Sequence, residues 1–206
     1  MRNIADALTV LFVFAGISAA PAAEMQIGTV VRCQGLCADV SAGAPESLTG
    51  GEAVRLNEKL STGADGRLEL AFDDGTHMTL GERAEVVIDA FVYRPAGTSR
   101  FHAAIAGSFR YVSGMLAAGA SRTASVTTPV ALIGVRGTDF WGGTVNHVGG
   151  VVVFAGSVSV TTAVGTVVLS ARGEGTDLST RGVPPGAVTQ WSRDRIAAAI
   201  ASVSFH

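Results

Sequence analysis

The sequence predicts an all-β protein of short strands and glycine-rich turns, arranged as a solenoid-like roll or a sandwich and finished by a short C-terminal helix. Three observations lead there. Of 206 residues 48% are hydrophobic but only 6% aromatic, so Val, Ala, Leu and Ile carry the apolar mass, as suits thin strands. Runs of about five residues with β-type composition recur between turn residues. Glycine, present 26 times, stands at many of those turns, and Asp-Gly pairs such as Asp65-Gly66 are strong turn signals because both residues tolerate unusual backbone angles. The length fits one domain with an appendage.

Taken in order, Ile27 to Arg32 makes a first strand, and Ala38 to Thr49, small and polar with Pro45, reads as a loop. Short runs at Ala53 to Leu56 and Leu60 to Gly63 follow. Arg67 to Phe72 alternates polar and apolar, which puts Leu68, Leu70 and Phe72 on one face. After the Asp73-Asp74-Gly75 turn, Thr76 to Leu80 repeats the alternation with Met78 and Leu80 inward and His77 outward. Ala84 to Asp89 continues the series. In the second half, Gly107 to Val112 sets Phe109 against Arg110 across the strand. Ala124 to Thr128, Thr138 to Gly143, Gly149 to Ala155, Gly156 to Val160 and Gly165 to Leu169 complete the strand set. Val183-Pro184-Pro185-Gly186 is a stiff connection. Beyond it, Trp191, Ile196, Ala199, Ile200 and Val203 fall on helical spacing, with Thr189 or Ser192 as the cap. That helix is expected to dock through Trp191 and cover a sheet face or edge.

The chain opens with Arg2 and an apolar stretch from Ala7 to Ala20, followed by Ala20-Pro21-Ala22. This pattern is that of a secretory signal peptide over residues 1–22, and the apolar stretch is shorter than the ~20 residues that span a bilayer. The expectation is a periplasmic protein without a transmembrane anchor after cleavage. Cys33 and Cys37 are the two cysteines. In an oxidising compartment the turn at Gly35 can bring them within disulfide range, with free thiols, a redox pair or half of a metal site as the alternatives. With 15 basic and 17 acidic residues the chain lacks a basic surface for nucleic acid.

Four stretches carry a family resemblance: Leu60 to Arg67, Phe72 to Leu80, Gly107 to Gly114, and Thr128 to Phe140 with its Thr-Pro, apolar run and Gly-Val-Arg-Gly-Thr. Together they resemble the FecR domain over about Ile27 to Ser170. The resemblance implies an extracytoplasmic β-rich module over residues 27–186, leaving residues 187–206 as a helical tail. In the best-known members this module belongs to an inner-membrane regulator that relays a signal from an outer-membrane receptor to a sigma factor. Here six residues precede the apolar stretch, so the chain looks more like the signal-peptide-bearing relatives than like those regulators.

Within the last stretch, Gly134 and Gly137 permit tight turns or close backbone approach, and Asp139 is placed to pair with Arg136 across the turn. Arg136, Asp139 and Trp141 are the candidate interaction residues, with Trp141 either an exposed contact aromatic or a packing residue. No hydrolase elbow is present and His77, His102 and His147 are scattered. Asp73, Asp74, Glu82 and Glu85 read as turn acids rather than a glycosidase pair, and Asp73-Asp74-Gly75 lacks the periodicity of a calcium loop. The expected function is therefore non-catalytic, with no cofactor: binding of an envelope or periplasmic protein. The alternative is a polysaccharide or peptidoglycan module using Tyr93, Tyr111 and Trp141 as a sparse aromatic platform.

Overall fold

The computed structural model describes residues 25–94, 97–114 and 122–206; the expected signal peptide lies outside the described residues. In the first half the strands are β1 (Gln26–Gln34), β2 (Cys37–Asp39), β3 (Glu46–Ser47), β4 (Ala53–Arg55), β5 (Lys59–Thr62), β6 (Arg67–Phe72), β7 (His77–Leu80) and β8 (Glu85–Val92). In the second they are β9 (Ser99–Ala106), β10 (Phe109–Val112), β11 (Arg122–Thr127), β12 (Leu132–Val145), β13 (Val148–Thr162), β14 (Gly165–Leu169), β15 (Glu174–Leu178) and β16 (Thr189–Gln190). One helix, α1 (Arg193–Ala201), follows.

All of these strands join one sheet, in the order β3-β2-β5-β8-β9-β11-β12-β10-β7-β6-β1-β4, with β13 to β16 branching from β12. The sheet curls into a half-barrel, and the aromatic core shows how. Phe72 on β6 and Phe101 on β9 have four strands between them in the hydrogen-bonded order, yet their rings meet edge-on at 5.3 Å. Phe91 and Tyr111 extend the cluster from β8 and β10. The alternation expected of β6 and β7 is what fills it: Leu68, Leu70, Phe72, Met78 and Leu80 are buried and His77 is exposed. A twisted sheet closes over its apolar face because that face must leave water.

The loop expected over 38–49 holds β2 and β3, which pair with each other and, through β2, with β5; their small polar residues are held by tertiary pairing, not propensity. The runs at Gly149 and Gly156 are one strand, β13, and the run at Thr138 is the second half of β12. Strand β9 adds to the expected set, its Arg100, His102 and Ala104 alternating with the inward Phe101, Ala103 and Ile105. Short β15 and β16 lack a sequence signal. Cys33 and Cys37 form a disulfide across the β1–β2 turn, where Gly35 takes a left-handed φ of 66°.

Tyr111 is fully buried, and among the described residues its hydroxyl has no well-aligned hydrogen bond. Burial pushes its phenol well above the ordinary range. Below about pH 10 the phenol is neutral in both folded and unfolded chains and costs nothing. Above that, the unfolded chain ionises while the folded one resists, so stability falls as pH rises, by up to ~1.4 kcal/mol per unit for this one group. Urea titrations at pH 8 and 11 check this: Tyr111→Phe should lose less stability over that interval than wild type, and equal losses would refute it.

Candidate functional site

The motif shared with the resembling family lies where the long β12–β13 ribbon bends. Arg136 pairs with Ser157 and Asp139 with Ala155, then Phe140 with Val153, so each strand carries one extra residue at the bend. An extra residue flips which face a side chain takes. Before the bend Ile133 and Val135 face the core; after it Phe140 does. The bend also lets one strand serve two neighbours, because β12 pairs with β11 over Leu132 to Val135 and with β10 over Asp139 to Gly142. Two glycines make it: Gly137 at φ 55° and Gly156 at φ 74°. A Cβ on Gly156 would sit 2.0 Å from the Gly137 carbonyl oxygen. Thr138 pins the joint, its N–H donating to Ser113 Oγ at 2.8 Å and its hydroxyl to the Ser157 carbonyl at 2.7 Å.

Asp139 does not pair with Arg136. Its carboxylate accepts two hydrogen bonds from Arg110 on β10, from Nε at 2.9 Å and Nη2 at 2.7 Å, and that hydrogen bonding raises the guanidinium pKa further. The bulge is the reason: it turns Asp139 toward β10 and leaves Arg136 on the outer face, exposed, with no ion pair or side-chain hydrogen bond among the described residues. Arg110→Ala should therefore cost about 1–2 kcal/mol, the low end for a charge-assisted pair because Arg110 is 39% exposed. Arg136→Ala should stay within about 0.5 kcal/mol. Thermal melts of both variants decide it, and the reverse ranking would refute this assignment.

Trp141 is not a contact aromatic. It is 0% exposed, covered by α1, and its indole Nε1 donates to Ser202 Oγ at 3.0 Å. The helix starts as expected at Ser192, whose Oγ accepts from the Arg195 N–H. Trp191 meets Trp141 edge-on at 6.1 Å, and Arg195 stacks on the Trp191 ring at 3.6 Å while bonding Asp177. With Tyr111 also at 0%, the expected platform of Tyr93, Tyr111 and Trp141 does not exist: two of its three rings fill cores.

Helix α1 seats on the outer face beside Trp141 and Val152, and beyond it Phe205 reaches Arg32 of β1. The other half of the outer face, over β11 to β14, carries mostly Ser, Thr and Gly in cross-strand rows, with Leu132 and Val168 exposed among them. Thr127, Leu132, Thr161 and Thr166 form one row; Ser125, Gly134, Ser159 and Val168 form the next; Arg136 and Ser157 begin a third. This bare, hydroxyl-rich face with Arg136 at its bend is the candidate interaction surface.

Next to it stands a grouping that no spacing in the sequence suggested. His102 Nδ1 bonds Asp89 Oδ1, and its Nε2 lies 2.9 Å from Thr127 Oγ1. The order carboxylate, imidazole, hydroxyl is that of an activated nucleophile. The backbone N–H groups that follow Thr127, however, are already engaged. The Thr128 N–H goes to the Ala131 carbonyl, the Val130 and Ala131 N–H groups go to Thr128 Oγ1, and Pro129 has none. The trio acts as a clasp across β8, β9 and β11. A cleft of about 830 Å³ lies between Ile105, Val130, Val151, Leu178 and Pro184, and its Asp177 is engaged by Arg195. Among the described residues no three His, Cys, Asp or Glu side chains are placed to hold a metal, and no helix is long and apolar enough to cross a membrane.

A family model described as FecR protein matches residues 58–159, just under half of the chain, and contains all four sequence stretches. The chain is thus FecR-like in fold and in distant homology. Two crystal structures of a candidate anti-sigma factor from Parabacteroides distasonis ATCC 8503 share the fold, at 16% and 15% identity and TM-score 0.52. Each match covers 66% of this chain and 60% of the length of that one. No curated protein matches.

Proposed function

We propose that this chain is an exported, non-catalytic FecR-like module that binds another protein of the cell envelope, in signalling or in assembly. The observation that carries the reading is the bare outer face over β11 to β14 with Arg136 exposed and unpaired at the bend. A hydrophobic core already covers the other half of that surface, so this half is left available to a partner. The family match and the resemblance support an extracytoplasmic setting, and a disulfide between Cys33 and Cys37 agrees with an oxidising one.

The test is crosslinked affinity capture from envelope extract with wild type and Arg136→Ala, alongside a peptidoglycan pull-down. Wild type should retain a reproducible protein that Arg136→Ala loses while its melting curve stays unchanged. Retention on peptidoglycan alone, or equal capture by both proteins, would overturn the reading.

A further inference from the structure

The free edges of this sheet are not alike. Among the described residues, β3 and β16 are two residues long and β4 is three with the charged Arg55. Strand β14 is five residues, Gly-Thr-Val-Val-Leu, with no charge, no proline and no bulge against β13. Among the described residues it pairs with β13 alone, and no further backbone hydrogen bond reaches it. Its outward Val168 is 58% exposed, as is Val164 in the preceding turn. Proteins ordinarily blunt such an edge with a charge, a proline or a twist, because its unpaired N–H and C=O groups template another strand. Strand β14 has neither a charge nor a proline of its own; Pro184 and Pro185 stand beside its first residue, Gly165, and leave Thr166 and Val168 exposed. Just past the strand stands Arg172, exposed and without an ion pair among the described residues.

We propose that the free edge of β14 takes up an extended segment of the partner protein as an added strand, a segment with β-branched residues opposite β14 and an acidic residue beside Arg172. This rests on the protein-binding reading above. Backbone pairing supplies the affinity, and the side chains that meet Thr166, Val168 and Arg172 supply the selectivity. A second copy of the chain is the poorer occupant, since five paired residues fall well short of the ~1,600 Å² of a standard stable interface, whereas a flexible segment can bind through one strand.

The probe is a labelled, capped Thr-Val-Thr-Val-Thr-Asp peptide, titrated against the full chain by fluorescence anisotropy. Saturable binding is expected, lost when alternate peptide amides are N-methylated and weakened about tenfold or more by Val168→Lys, with the variant's melting curve unchanged. Arg172→Glu should weaken it too, and a peptide ending in Lys should restore it. No saturation by wild type, or indifference to N-methylation, would overturn the proposal. Running Val168→Lys through the envelope capture separates the two readings. Capture that persists in Val168→Lys but fails in Arg136→Ala removes the edge and leaves the protein-binding function; no capture by wild type removes the function itself.

Discussion

Replacing Gly156 with alanine is expected to lower stability by about 3–5 kcal/mol, a large part of the 5–15 kcal/mol that holds a typical domain together. Two costs add. A non-glycine residue at φ 74° pays about 1–2 kcal/mol for its backbone alone. The new Cβ would then meet the Gly137 carbonyl oxygen at 2.0 Å and the Thr138 Cα at 2.9 Å, both backbone. Neither can rotate away, so β12 and β13 must separate at the bend, loosening the Thr138 bond to the Ser157 carbonyl. Gly137→Ala is the control: φ is 55° there, but nothing lies within 4 Å of its Cβ, so only the backbone cost of about 1 kcal/mol applies. Urea midpoints of both variants measure the difference. Equal shifts would mean that the ribbon relaxes and that the close approach is not what makes residue 156 a glycine.

Trp141→Ala is expected to cost about 3–5 kcal/mol and to unseat α1. The indole is completely buried, it touches Trp191, and its Nε1–H bond to Ser202 ties the strand to the end of the helix. Helix α1 has nine residues, too few to persist in water without a packed face, so losing its seat should melt it. The chain has two tryptophans, which makes Trp191 the sole reporter in the variant: its emission should move to the red. Trp141→Phe, which keeps an aromatic ring but loses the hydrogen bond, should fall between. Unshifted emission with a loss below about 1 kcal/mol would show that the helix holds by other contacts.

Legibility in the sequence followed the range of the interactions involved. Strand β6 and strand β7 could be read with their inward residues, because period-2 alternation is a local property and Leu68, Leu70, Phe72, Met78 and Leu80 obey it. Ser192 as cap and the turn at Gly35 were equally local. Strand β9 obeys the same alternation, so its local signal is present in the sequence as well. What sits around it is not: β9 pairs in parallel with β11 through a long crossover, and only that pairing brings His102 to Thr127 and Asp89.

The sequence by itself determined an all-β chain with a capped terminal helix, two cysteines on either side of a glycine turn and the Gly-Val-Arg-Gly-Thr motif, since turn chemistry, alternation and capping each act within a few residues. The tertiary structure alone decided which arginine Asp139 holds, that Trp141 is covered and not offered, and that β14 ends the sheet without a charge. Those outcomes depend on one extra residue in each of two paired strands and on which strand lies alongside which. Side-chain facing repeats every two residues, so a bulge reverses it while leaving the local pattern on either side unchanged.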